Sequence, residues 1–412
     1  MAVSTSDAAL VTSGVVRGER FSDAPKVQPT RRILFLTHVG DAGGAEYKML
    51  DLCQGVRHSC EVMLFQHGSL ESLLKERQIE FSVCPVPDKV LGVRREGGVL
   101  GSLRAIPGAL SMVRSLARKA KAFDIVVCIS QKSFVLASLA KPLMRRPILW
   151  FMNDILTPEH FSRSLIRFLV SLSRYSADHI ALNSQASRDA WLQMGGRKER
   201  ISIIYPGTSE RQLTQQLQDP GRLSEYRARY RLDSAPLVGM FSRISPWKGQ
   251  DVFLRALARL PHVRGLLVGG ALFADQDHER RMKALAHELG VESRVTFAGH
   301  VHDPMTLMAI CDVVAHCSTA PEPFGQVIAQ AMFAGTPVIA SDAGGAREIV
   351  MDGETGLLTP MNDPVALANA IQRYLEDPLW ARRLARTAHS RAQEKFSAHA
   401  MTEGFLRALG TI

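Results

Sequence analysis

Much of the usual equipment of enzymes and secreted proteins is missing from this sequence. None of its six cysteines forms a C-x-x-C pair, and no zinc-ligand spacing occurs, so a redox dithiol and a structural zinc are excluded. Cys53, Cys60, Cys84, Cys128, Cys311 and Cys317 fall mostly in apolar segments, the pattern of reduced, partly buried thiols in a cytosolic protein. No apolar run approaches the roughly 18 residues of a membrane span. G-x-S-x-G and G-x-x-x-x-G-K-[ST] are absent, which sets aside the serine-hydrolase elbow and the P-loop. G-x-G-x-x-G is absent too, so a dinucleotide site is poorly supported. Basic residues are not interleaved with aromatics, and no recognition-helix pattern appears, which argues against nucleic acid.

What is present suits two α/β domains. A chain of 412 residues exceeds one ordinary core. Residues 1–30 are small, polar and of mixed charge, and the apolar stretch 11–16 is too short for a signal-peptide core, so a disordered leader is expected. The formal net charge of +10 is concentrated: residues 89–174 hold 15 Lys and Arg against 4 Asp and Glu. A local basic face implies an acidic partner, and an anionic membrane surface or a phosphorylated lipid acceptor suits it better than nucleic acid. Within it, residues 103–122 pattern as a basic amphipathic helix starting near Ala109, after a break at Ile106-Pro107-Gly108. Such a helix either lies on lipid or covers the sheet with a solvated basic face. Residues 92–101 read as a mobile loop near the acceptor.

Short apolar runs alternate with helical patterns from Arg32 onward, the signature of parallel sheets covered on both faces. Runs at 61–65, 80–84, 124–129, 147–152, 179–183 and 201–205 make up a first domain over 31–207. Residues 208–235 are polar and suit a linker with its own helix, and strands resume at 237 to form a second domain over 236–390. Residues 391–412 form a terminal helix. Ligands of such sheets sit at the carboxyl ends of the strands, which singles out His38, Gln131, Asn153 and Asp154.

The most informative stretch is 321–340, PEPFGQVIAQAMFAGTPVIA. Glu322 stands between two prolines, Phe324 and Gly325 lead into a helix, and residues 337–340 read as a buried parallel strand. A helix start preceded by glycine is an anion site, and Glu322 and Gln330, eight residues apart, can face one ligand. Upstream, a strand at 237 delivers Arg243 and, five residues later, Lys248. A planar fork and a point charge at one strand exit suit a diphosphate. Asp275-Gln-Asp277 precedes a helical run, where acidic residues favour the helix dipole. It reads as a cap and not as a metal site.

Together these stretches resemble the signatures of the retaining GT-B glycosyltransferases of the family 4 type, glycosyl transferases group 1. The likeness spans roughly residues 31–390 and rests on E-P-F-G with A-M-x-x-G-x-P-V-I-A, on R-x-x-x-x-K-G, and on the Gly43-Gly44-Ala-Glu46 loop. It implies two Rossmann-like domains facing across a cleft, the terminal helix returning to the first. It implies metal-independent transfer of a hexosyl unit, with retained configuration, from a nucleotide-diphosphate sugar that is substrate and not cofactor. The acceptor would be a glycan or lipid-linked molecule, in bacterial envelope polysaccharide or lipopolysaccharide synthesis. The protein would be cytoplasmic, with a peripheral position at the inner face of the plasma membrane.

The resemblance also assigns roles. Arg243 and Lys248 would hold the diphosphate together with N–H groups near Phe324 and Gly325. Glu322 would fix the sugar hydroxyls, and Gln330, where the family has a second Glu, would meet the ribose. The backbone near Val301 would meet the base, and Gly43 and Gly44 would face the donor phosphates and the acceptor. Asn153 stands where the family often has a histidine beside the transferred sugar; it can hydrogen-bond a hydroxyl but cannot carry a proton. His38 and His67 are candidates to compensate. A non-catalytic nucleotide-sugar-binding subunit and a GT-B epimerase are the alternatives.

Overall fold

Each apolar run becomes a strand; those inside the sheets are buried on both faces, and the edge strands Glu80–Val83, Ile201–Ile203 and Val295–Gly299 only in part. The first sheet contains β1 Ile33–Thr37, β2 Cys60–Leu64, β3 Glu80–Val83, β4 Ile125–Cys128, β5 Ile148–Met152, β6 His179–Leu182 and β7 Ile201–Ile203. Every described pairing is parallel, in the order β3-β2-β1-β4-β5-β6-β7. The second sheet contains β8 Leu237–Phe241, β9 Arg264–Val268, β10 Val295–Gly299, β11 Val313–His316, β12 Val338–Ser341 and β13 Leu357–Thr359, ordered β10-β9-β8-β11-β12-β13. Residues β1 and β8 bury without a break, Leu34, Phe35 and Val238 being wholly inaccessible, as a sheet covered on both faces requires.

This computed structural model describes residues 31–56, 60–84, 99–209, 220–271, 275–301 and 303–412, with side chains from 110 onward in the helix that begins at Val99. The leader 1–30, residues 92–98 of the expected acceptor loop, and linker residues 210–219 lie outside the described residues.

Helices cover both faces of both sheets. On the first domain they are α1 Gly44–Gly55, α2 Leu70–Glu76, α3 Val99–Ala120, α4 Gln131–Met144, α5 Arg163–Ser176 and α6 Gln185–Gln193. Helix α7 Pro220–Arg229 lies in the link between the sheets. On the second domain are α8 Gln250–Ala258, α9 Gln276–Glu288, α10 Pro304–Ile310, α11 Gln326–Phe333, α12 Ala346–Ile349, α13 Pro364–Glu376 and α14 Pro378–Lys395. The last, α15 Ala398–Leu409, leaves the second domain and packs on α1: Met401, Phe405, Ala408 and Leu409 share a core with Ile33, Met49, Leu52 and Phe151. The Phe405 ring stacks on Phe35 at 5.8 Å, a burial worth about 2 kcal/mol.

Two expectations are corrected. Residues 106–108 do not break the helix, because α3 runs through Pro107 from Val99. A proline removes only one backbone bond, and the amphipathic helix continues past it. Residues 99–101, expected within a mobile loop, open α3 instead, and α5 begins at Arg163, where the Ser162 hydroxyl accepts from the Leu165 N–H at 3.4 Å.

In each sheet the strand order reverses once, between β1 and β4 in the first and between β8 and β11 in the second. Crevices open at the carboxyl ends of the strands flanking such a point.

Candidate functional site

The second-domain crevice gathers a compact charged cluster. Beyond β8 the chain turns through Ser242 and Arg243, held by buried Gln250, whose Nε2 donates to Ser242 Oγ at 3.0 Å and to the Arg243 carbonyl at 2.9 Å. A short turn, Pro246–Lys248, ends at Gly249, which has φ +77° and no room for a side chain: a Cβ would lie 2.0 Å from the Cys317 carbonyl oxygen. That turn aims Lys248 at Glu322, in the loop after β11. Glu322 is buried and accepts from Lys248 Nζ and from the Ser318 hydroxyl. His316 Nε2 lies 3.0 Å from Glu322 Oε1 without hydrogen-bond alignment, and its Nδ1 has no partner among the described residues. Burial alone would raise the Glu322 carboxyl. His316 and Lys248 outweigh it and hold the group well below the usual carboxylate range. Glu322 is therefore an anion at any physiological pH.

Helix α11 opens beside this cluster. Gly325, at φ +109°, is its N-cap; no side chain caps it, and no acidic residue stands in its first turn. Its free N–H groups therefore present an uncompensated positive end. Arg243 is exposed, and its guanidinium has no hydrogen-bond or ion-pair partner among the described residues. Underneath, the Gly345 N–H donates to the Glu322 carbonyl at 2.9 Å, so the loop after β12 fixes the height of the Glu322 loop.

The first-domain wall is built differently. The N-terminus of α1 already carries its own anion: Glu46, buried, accepts from the Gly43 N–H at 3.1 Å and from the Thr37 hydroxyl at 3.0 Å. Asn153 follows β5 and has its amide engaged internally. Its Nδ2 donates to the Ile129 carbonyl at 2.8 Å, and its Oδ1 accepts from Lys48 Nζ. Lys48 is buried, and burial pushes its ammonium down to about 8, against the opposing pull of Asp154 and Glu46. Asp154 is raised by burial and accepts from Gln131 Nε2 at 3.2 Å. His38 is held neutral, down to about 4 by burial and by Lys132, with Nδ1 2.8 Å from Ser130 Oγ. His67 is two-thirds exposed and faces Glu71 at 2.9 Å on the surface.

Side chains and backbone join the two walls. A Cβ on Gly44 would meet Gln326 Oε1 at 2.4 Å, so the starts of α1 and α11 abut. His160 Nε2 lies 3.0 Å from the Pro321 carbonyl oxygen, and its ring meets Trp247 edge-on at 5.6 Å. Asn183 Nδ2 donates to the Asn153 carbonyl at 2.8 Å, its Oδ1 accepts from the Ser187 hydroxyl at 2.7 Å, and that hydroxyl lies 3.5 Å from the Pro323 carbonyl oxygen. Glu348 of the second domain caps α6 of the first, accepting from the Gln185 and Ala186 N–H groups at 2.8 and 2.7 Å and from the Tyr205 hydroxyl at 3.0 Å.

Of the residues expected from sequence, Glu322 and Lys248 meet directly and Arg243 stands at the same strand exit. Gly43 and Gly44 reach the cleft from the other side. Phe324 contributes backbone only, since its ring is buried against Tyr205 and Phe396. Gln330 is half-buried on α11 and Val301 half-buried beyond β10. Asp275 is the N-cap of α9 and Asp277 stands in its first turn, where both carboxylates complement the helix dipole as expected, although Asp275 makes no side-chain capping bond. Lys48, His316, Ser318 and Glu348 were not anticipated. His316 and Ser318 carried a usable signal, being polar residues at the carboxyl end of a buried parallel strand.

Known proteins resemble this chain in sequence and in fold. Residues 43–207 match the family model described as a glycosyl transferase 4-like domain, and residues 224–392 the one described as glycosyl transferases group 1. The lipopolysaccharide core biosynthesis glycosyltransferase LpsE of Rhizobium meliloti is 34% identical over 177 residues, 43% of this chain and 50% of that protein. A D-inositol 3-phosphate glycosyltransferase of Stackebrandtia nassauensis is 33% identical over 245 residues, 56% of this chain and 52% of that one. The chain spans about half the length of the curated relatives it matches. The Anabaena protein HepE, crystallised with UDP and glucose, superposes with a TM-score of 0.83 at 36% identity, covering 93% of this chain and 100% of that one.

Proposed function

The chain belongs to the family 4-type glycosyltransferases, glycosyl transferases group 1, of the GT-B fold, and on that premise we propose that it moves a hexosyl unit from a nucleotide-diphosphate sugar to an acceptor hydroxyl with retained configuration. The observation that carries this reading is the Lys248–Glu322 pair at the open start of α11, with Arg243, unpaired among the described residues, at the same strand exit. Donor binding exchanges partners there. The diphosphate takes the Lys248 ammonium, the Arg243 guanidinium and the α11 N–H groups, and Glu322 turns its carboxylate to the sugar hydroxyls. The C1–O bond to the diphosphate breaks while the acceptor oxygen bonds C1 from the same face, and the acceptor proton passes to the departing phosphate oxygen. The two cations stabilise that leaving charge, which makes a metal ion unnecessary. Gln330 serves the ribose and the backbone at Val301 the base. HepE binds UDP-glucose, which makes a UDP-hexose the first donor to try.

The acceptor we propose is a lipid-linked or envelope glycan, as in lipopolysaccharide assembly, the pathway in the name of LpsE. In support, α3, α4 and α5 pack side by side and expose Leu110, Leu139, Leu143, Phe168 and Tyr175 among Arg114, Arg118, Arg145, Arg167 and Arg174. Apolar side chains set among arginines suit the surface of an anionic membrane, with the protein peripheral to it. Among the described residues no helix is long and apolar enough to cross one. Two measurements test the proposal: release of nucleoside diphosphate from UDP-glucose in the presence of lipid-linked acceptors, and sedimentation with phosphatidylglycerol vesicles but not with phosphatidylcholine vesicles.

A further inference from the structure

The first-domain wall holds a charged group to which the reading above gives no task. Lys48 lies on α1, one turn beyond Gly44, and is 5% exposed. Its surroundings are apolar: Ala45, Met49, Leu52, Ile129 and the Phe151 ring, whose centroid is 5.5 Å from Nζ. An ammonium has three donors, and among the described residues only Asn153 Oδ1 takes one. The two nearby carboxylates are engaged elsewhere, Glu46 with Thr37 and the Gly43 N–H, and Asp154 with Gln131. A buried cation held by a single hydrogen bond weakens a fold, so packing gives no reason for it.

Its position supplies the reason. Asn153 Nδ2 is tied to the Ile129 carbonyl, so its Oδ1 is fixed toward Lys48, and the amide orients the ammonium without reaching the cleft itself. The same segment touches the Glu322 loop twice, through His160 to Pro321 and through Asn183 and Ser187 to Pro323. With Gly44 against Gln326, the helix that carries Lys48 begins against the helix start that the Glu322 loop leads into. We infer that Lys48, oriented by Asn153, is the first-domain contact to the transferred sugar, its two remaining N–H groups donating to hydroxyls on the face opposite Glu322. This rests on the transferase reading above. It assigns to a lysine from α1 the place beside the sugar that the residue at position 153 does not fill. Because burial holds that ammonium near 8, the contact is full below this pH and is lost as the pH rises through it.

The test is a calorimetric titration with UDP and with UDP-glucose, from pH 6.5 to 9.5, on the intact protein, Lys48→Met and Asn153→Ala. In Lys48→Met, UDP affinity stays within about 2-fold while the ratio of UDP-glucose to UDP affinity falls about 10-fold, the scale of one charge-assisted hydrogen bond. The ratio declines above about pH 8 in the intact protein and is flat in Lys48→Met. Asn153→Ala, which keeps the ammonium and removes its guide, lowers the ratio less. A Lys48→Met protein with an unchanged ratio and an unchanged pH profile overturns the inference and leaves the transferase reading standing. Loss of UDP affinity by the folded variant overturns it as well, by assigning Lys48 to the diphosphate. An intact protein that binds neither ligand removes the transferase reading, and this inference with it.

Discussion

Two helices begin at glycines on opposite walls of one cleft, and they are prepared in opposite ways. Helix α1 carries its own anion, Glu46, on the Gly43 N–H, whereas α11 has no cap and no acidic residue in its first turn. A helix start already neutralised by a buried carboxylate repels a second anion, and an open one beside two cations attracts it. The cleft is thus asymmetric by charge. On the proposed reading, phosphates bind the second domain, and the first offers hydrogen bonds from Lys48 and the ends of β1, β4 and β5.

Glu322→Gln strikes this asymmetry hardest. It keeps the shape but leaves Lys248 and His316 without their anion, and sugar transfer should fall about 10³-fold. Nucleoside diphosphate should bind as tightly or tighter, because Lys248 is released. A parallel loss of diphosphate affinity, read by calorimetry, would show that the carboxylate organises the phosphate site instead of the sugar.

The clamp between the walls comes next. Glu348→Ala removes a charged cap from α6 and a partner from Tyr205, and should lower unfolding free energy by about 2 kcal/mol in denaturant titration. It should also raise KM for the acceptor more than for the donor, since the α11 site lies wholly in the second domain. Equal effects on both would place the clamp within the donor site.

A smaller effect separates the two helix starts. Glu46→Gln should cost about 1 kcal/mol of stability and leave UDP affinity unchanged. If affinity rises, the first domain competes for phosphate and the asymmetry is weaker than described.

Least in size is the pH dependence of stability at Lys48. Its folded ammonium titrates at about 8, below the ordinary value of 10.5, so between those values the unfolded chain binds more protons and stability rises with pH. Lys48→Met should therefore be more stable than the parent at pH 7, on the order of 1 kcal/mol, with the difference shrinking toward pH 10. Thermal melts of the pair at both pH values check the sign.

The sheets, the helix–strand alternation and the second-domain cations were legible because each depends on local pattern: apolar runs, a glycine before a helix, Arg243 and Lys248 at one strand exit. Lys48 was not legible, because a lysine inside an amphipathic helix resembles a surface residue until Asn153 and Phe151 are seen to close over it. Asn153 could be read as a hydrogen-bonding substitute beside the sugar, yet its amide is taken up by Ile129 and Lys48, a fact of tertiary packing. Glu348 pairs with α6 across more than 160 positions of chain, and no local rule connects them. Pro107 was over-read, since the helix that contains it continues past one missing N–H.

The most direct test of the central claim is a calorimetric titration of UDP and UDP-glucose into the intact protein and into an Arg243→Ala, Lys248→Ala variant verified as folded. The account predicts binding by the intact protein and a loss of at least about 100-fold in the variant, two charged phosphate contacts being removed. Binding that survives in the variant, or none by the intact protein, would contradict the placement of the diphosphate in the second domain.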